Sequence, residues 1–230
     1  MAEKILVKSM PLLANGDRLS RAEFERRYAA MPNDKKVELI EGIVYMASPL
    51  RFESHAEPHG NLIGWLGVYQ VATPGVRLGI EPTLRLDLDN EPQPDGVLLL
   101  DEKVGGQSRI SDDDYIEGAP EFVAEIAASS VGYDLYDKKR AYRRNGVKEY
   151  FVWQVYEQQL DWFRLTNDEY VCLSPDGGIL RSEVLPGLWL AVDAWVGGDM
   201  GRVLAVLQEG INSLEHTEFV RELSKKNVDG

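Results

Sequence analysis

Apolar positions along the chain change period repeatedly, and each period predicts an element. Ser20 and Glu23 form a capping-box pattern ahead of Phe24 and Tyr28, so a first helix is expected over residues 21–30. Met31-Pro32-Asn33-Asp34 breaks it. Residues 37–46 read as two strand pieces around Glu41-Gly42, most simply a hairpin, which Ser48-Pro49 ends. Leu62, Ile63, Trp65, Leu66 and Tyr69 then recur at helical spacing over 58–71, up to Thr73-Pro74-Gly75. Strand-like pieces follow at 76–80 and 83–88, the second alternating Leu84, Leu86 and Leu88 with Arg85 and Asp87.

Three continuously apolar runs read as strands buried on both faces: 97–100, 122–127 and 149–155. Between the first two, a polar excursion over 105–118 carries Ser111-Asp112-Asp113-Asp114, expected to form a capped helical turn. Ser129 and Ser130 lead into a helix that ends at Asn145-Gly146, with the glycine as its C′ residue. Residues 160–165 and 169–173 form a hairpin across Thr166-Asn167-Asp168, and more strand surrounds 185–190. A last helix over 201–214 packs through Val203, Leu204, Val206 and Leu207, and the polar tail beyond Glu215 is expected to fray. No repeat, low-complexity tract or linker interrupts this. The expected organisation is an N-terminal extension (1–18), one domain (19–214) and a polar C-terminal tail (215–230).

Length and composition narrow the class. A chain of 230 residues with 44% apolar content supports one large core. A single cysteine, Cys172, excludes an internal disulfide framework and a cysteine-rich zinc site. That fits a reducing cytoplasm. No signal-peptide pattern opens the chain, and no run approaches the ~20 apolar residues that span a bilayer. The formal charge of −13 argues against a simple nucleic-acid coat protein, although a nuclease needs a positive surface only where it meets its substrate. Nucleophile-elbow, P-loop and dinucleotide patterns are absent.

Candidate chemistry sits where the apolar pattern breaks. Asp95 immediately precedes the 97–100 run, and Glu125 stands inside 122–127 with apolar neighbours on both sides. A carboxylate in such surroundings is costly unless paired or ligated, so the two acids are a candidate hard-cation site, with Mg²⁺ or Mn²⁺ expected. In the following helix Asp134, Lys138 and Tyr142 are spaced by four and share a face. Lys138, Lys139, Arg140, Arg143, Arg144 and Lys148 make the densest basic block of the chain, suited to a phosphate backbone. Plainer readings stand beside these: Asp95 as a turn residue, Glu125 paired with Arg85 or Arg143, the basic helix as a solvated face. His55, His59 and His216 with Cys172 lack zinc-ligand spacing.

Pro94-Asp95, Glu125 with Ser129 and Ser130 behind it, and the ordered set Asp134, Lys138, Tyr142, Gly146, Glu149, Tyr150 resemble the PD-(D/E)XK nuclease core. They are similar in particular to the Uma family of restriction endonucleases, as are Glu38-Leu39-Ile40-Glu41-Gly42, Met46-Ala47-Ser48-Pro49 and the phrase at 116–121. The resemblance covers roughly residues 19–190. It implies an α/β fold with a restriction-endonuclease-like core: a mixed central sheet flanked by helices, with additional hairpins. It further implies a divalent cation held by Asp95, Glu125 and the carbonyl of Ile126, with Lys138 in the lysine role. The superfamily lysine should stand two residues after the acid, where this chain has Ala127; here it comes from the next helix, with Lys139 as nearest competitor. Glu38, His59 and Tyr142 are expected at the site's periphery. The implied activity is phosphodiester hydrolysis, with DNA as partner and a homodimer to cut both strands. A nuclease fold turned binding module and a hydrolase of small phosphate esters are the alternatives.

Overall fold

A computed structural model describes residues 10–31, 36–47 and 49–229, with side chains through residue 226. The break expected at 31–34, the strand end at Ser48 and the first half of the N-terminal extension fall on residues 32–34, 48 and 1–9, outside the described residues. Helix α1 (Arg21–Tyr28) buries Phe24 against a hairpin of β1 (Val37–Ile40) and β2 (Ile43–Met46). The capping box does not form: Ser20 makes no side-chain cap bond, and Glu23 instead accepts from Arg26 and Arg27. A wide π-helical turn (Phe52–Ala56) leads into α2 (Glu57–Ala72).

Strand β3 (Val76–Ile80) follows, and then β4, which is shorter than expected. Only Leu84–Arg85 pairs, because the chain folds back at once: the Leu84 and Leu86 amides donate to the Pro92 and Asn90 carbonyls. Strand β5 (Gly96–Leu100) comes next, then β6 (Arg109–Ile110) and β7 (Ile116–Glu117). These last two form a hairpin, so residues 111–114 are its turn and not a helical one. The Ser111 hydroxyl accepts from the Tyr115 amide there, and Asp114 takes a positive φ of 68°. Strand β8 (Phe122–Ala127) leads through a π-helical turn (Tyr133–Lys138) into α3 (Lys139–Asn145), which Gly146 ends at φ 85°. Then come β9 (Glu149–Gln154), the hairpin of β10 (Gln159–Thr166) and β11 (Glu169–Cys172), and the pair β12 (Ile179–Arg181) and β13 (Trp189–Ala191).

Helices α4 (Val192–Val196), α5 (Met200–Ile211) and α6 (Leu214–Asp229) complete the chain. The tail expected to fray is therefore helical. Its apolar positions are sparse, yet His216, Phe219 and Leu223 fall on one stripe, and that stripe packs on the core. Inside it, the Thr73 hydroxyl and His216 Nε2 lie 2.9 Å apart. No helix among the described residues is long and apolar enough to cross a membrane.

The main sheet runs β11-β10-β9-β8-β5-β3, antiparallel except for β8 and β9, which the α3 crossover makes parallel. Strand alternation divides β8 between two layers. Phe122, Ala124 and Ile126 face a core built on Trp65, Phe151, Trp162 and Trp195, whereas Val123 and Ala127 face Tyr142, Val147 and Tyr150. Glu125 shares the second face, so its carboxylate points to the side where α3 crosses. That single parity places an acid beneath a lysine-bearing helix.

Candidate functional site

A cleft of about 700 Å³ opens where the end of β8, the start of β5, the β1–β2 hairpin and the two π-helical turns meet. Asp95, Glu125, Ile126, Asp134 and Lys138 line it, with Lys36, Glu38, Arg51, His55 and Tyr133. Asp95 stands just before β5, and its exposure is only 3%. Its Oδ2 accepts from the Ile126 amide at 2.7 Å, which ties the two strand ends together. Its Oδ1 faces His55 Nε2 at 3.4 Å and Lys36 Nζ at 3.8 Å. Burial alone would raise the Asp95 carboxyl, but His55, Lys36 and the Ile126 amide outweigh it and hold it at about 2. Asp95 is thus ionised across the neutral range.

Glu125 differs. Its Oε1 accepts from Lys138 Nζ and from the Tyr142 hydroxyl, each at 2.9 Å. Complete burial pushes its carboxyl well above the ordinary range, with Lys138 pulling it down and Asp134, Asp95 and Glu38 pushing it further up. The partner is therefore Lys138, and neither Arg85 nor Arg143. Lys138 Nζ also lies 2.9 Å from Glu38 Oε1 and 3.7 Å from Asp134 Oδ1. Burial would lower this ammonium, but Glu125 and Glu38 prevail and raise it well above its ordinary value. Glu38 in turn accepts from the Gln93 amide at 2.7 Å, clamping the segment that carries Asp95. Asp134 rises to about 6, mainly through burial.

The widened turn at 133–138 matters here. A π-helical turn rotates successive residues differently from an α-helical one, yet Asp134, Lys138 and Tyr142 all reach the Glu125 side. His59, in the first turn of α2, has Nε2 2.9 Å from the Asp95 carbonyl.

Apart from Lys138, the basic block faces elsewhere, and Lys139, Arg140, Arg143, Arg144 and Lys148 are not among the cleft-lining residues. Arg140 pairs with Asp137 and Glu41, Arg143 with Glu169, Arg144 with Glu41 and Asp87, and Lys148 with Glu121. Lys139 Nζ stands 3.4 Å above the Phe163 ring, and burial lowers its ammonium. Two cleft residues had no signal in the run of the sequence: Lys36, which precedes a strand, and His55.

The donor set fits a divalent cation. Asp95, Glu125, Glu38 and Asp134 bring four carboxylates to a site where Lys36 and Lys138 are the ammonium groups paired with them. His55 Nε2 is a buried nitrogen that faces Asp95 Oδ1 at 3.4 Å without an aligned hydrogen bond, an arrangement that a shared ligand would complete. Among the described residues, His55, His59 and Asp95 bring three metal-ligating atoms within 4.8 Å of one another.

Comparison with known proteins bears on the fold and the family. A crystal structure titled as a putative nuclease belonging to DUF820, from Anabaena variabilis, superposes with a TM-score of 0.55. At 13% identity the match covers 74% of this chain and 97% of that one, which shows a shared fold. No curated protein matches the sequence. A family model described as "Putative restriction endonuclease", Uma2, matches residues 21–193, from α1 to α4, with the whole main sheet and the cleft inside that span. The chain belongs to this Uma2 family.

Proposed function

We propose that the chain is a divalent-metal-dependent endonuclease that hydrolyses phosphodiester bonds of nucleic acid, DNA in the first instance. The observation that carries the reading is the meeting of Asp95, Glu125 and Lys138, from three separate elements, in one cleft rich in carboxylates. Asp95, Glu125 and the Ile126 carbonyl would hold Mg²⁺ or Mn²⁺. When bound, such an ion acidifies water and neutralises charge on the reacting phosphoryl group. The residues themselves have separable tasks. Ile126 fixes the rotamer of Asp95 through its amide, leaving Oδ1 turned toward His55 and Lys36. Tyr142 and Glu38 hold the Glu125–Lys138 pair in place from either side. Lys138 keeps a protonated ammonium beside the scissile phosphate, where it stabilises developing charge.

Arg140, Arg143, Arg144 and Lys148 would meet a phosphate backbone by exchanging their present carboxylate partners for phosphates. The test is the salt dependence of binding: each exchanged contact adds roughly one unit to the slope of log affinity against log salt. That these cations are now satisfied by acids favours a second reading, hydrolysis of small phosphate esters, which need no backbone clamp. Incubation of wild-type protein with supercoiled plasmid, and separately with a chromogenic phosphodiester, decides between them. Plasmid relaxation in Mg²⁺ or Mn²⁺ that stops with EDTA supports the nuclease. Turnover of the small ester with intact plasmid supports the second reading, and inertness toward both overturns the enzymatic account. Duplex scission would call for two clefts, hence the proposed homodimer.

A further inference from the structure

Asp95 has two oxygens with different surroundings. Oδ2 is used by the Ile126 amide, so an incoming cation meets Oδ1, and the atom facing Oδ1 is an imidazole nitrogen. His55 Nε2 stands 3.4 Å away, outside hydrogen-bond alignment and buried without another partner. Two ligand atoms bound to one ion at ordinary nitrogen and oxygen distances stand roughly 3.0–3.5 Å apart, which is the spacing found here. Glu125 offers less on this side, because its Oε1 already serves Lys138 and Tyr142.

His59 completes the arrangement. It follows His55 by four residues, the rings lie 5.6 Å apart edge to face, and one of its nitrogens is within 4.8 Å of the other two ligand atoms. The π-helical turn at 52–56 runs straight into α2, so both rings ride on one continuous stretch of helix. Magnesium takes oxygen ligands and avoids imidazole, whereas Mn²⁺, Co²⁺ and Zn²⁺ accept it with rising affinity across the series.

We infer that His55, assisted by His59, joins Asp95 as a nitrogen ligand, making this a mixed imidazole–carboxylate site selective for first-row transition cations over Mg²⁺. The inference rests on the nuclease reading only in sharing Asp95, and it can be tested without any substrate. The full-length protein is titrated with Co²⁺, followed by visible absorption and calorimetry, and then challenged with Mg²⁺. The expected result is preference for Co²⁺ by on the order of a hundredfold, with His55→Ala weakening Co²⁺ about tenfold or more while Mg²⁺ affinity stays within about threefold. His55→Asn, which keeps a polar side chain in the turn, should lose the preference equally, separating ligation from folding. If Asp95→Ala abolishes Co²⁺ binding but both His55 variants retain the preference, the imidazole assignment is overturned and the nuclease reading stands. If His55-dependent Co²⁺ binding is found in a protein that cuts no nucleic acid, the inference holds and the nuclease reading falls. If Asp95→Ala binds Co²⁺ as wild type does, both fall.

Discussion

Lys138 shows how much one side chain can carry. Its ammonium sits within 2.9 Å of two buried carboxylates, so its removal leaves Glu125 and Glu38 uncompensated. Breaking a buried pair in this way costs about 3–5 kcal/mol, and Lys138→Met should lower the urea midpoint accordingly. The same change should end cleavage, because the protonated donor at the phosphate is lost. Lys139, the competitor by sequence, stacks on Phe163 at the surface side of the helix, so Lys139→Ala should cost about 1 kcal/mol and leave turnover intact. Cleavage lost in Lys139→Ala and kept in Lys138→Met would reverse the roles. At this scale the acids were legible because Glu125 broke an apolar run and Asp95 stood at the head of another, and Lys138 because it shared a spacing of four with Asp134 and Tyr142. Lys36 and His55 were not legible: nothing local distinguishes them, and only the fold brings the loop before β1 and the turn before α2 to Asp95.

Elements tell a similar story about what local pattern can and cannot convey. The three buried strands and the α3 crossover follow directly from apolar runs and one helix-ending glycine. The α6 helix does not, since its stripe holds only a few apolar residues and its burial depends on Gly75, the turn at Glu102–Val104 and Gly187. Leu223→Ala should therefore destabilise the protein by about 2–4 kcal/mol, measured by chemical denaturation. A change within experimental error would mean the tail contributes nothing. The loop between β4 and β5 carries a second element-scale prediction. Burial and the neighbouring Glu25 push the Glu91 carboxyl up to about 8, against the pull of Arg85 and Arg21. The folded state thus holds a proton that the unfolded chain releases earlier, so this contribution is full below the ordinary carboxyl range and is lost as pH rises toward 8. Glu91→Gln should make the decline of unfolding free energy between pH 5 and 8 shallower, and an unchanged slope would contradict the assignment.

For the molecule as a whole, the location of the charges matters more than their sum. An excess of thirteen negative charges would repel a polyanion, and acids from other elements already neutralise most cations of the basic helix, while the cleft gathers carboxylates where a cation could bind. Net charge read from composition could not reveal that pairing; only the fold brings Glu41, Asp87 and Glu169 to the arginines. The central claim is that Asp95 holds the reactive cation in a nucleolytic cleft. Its most direct test is the rate of Mn²⁺-dependent plasmid relaxation by wild type against Asp95→Asn, both verified as folded by circular dichroism. The account predicts a fall of about a thousandfold or more in the variant, the scale expected when a group that stabilises transition-state charge is removed. Equal rates in the two proteins would contradict it.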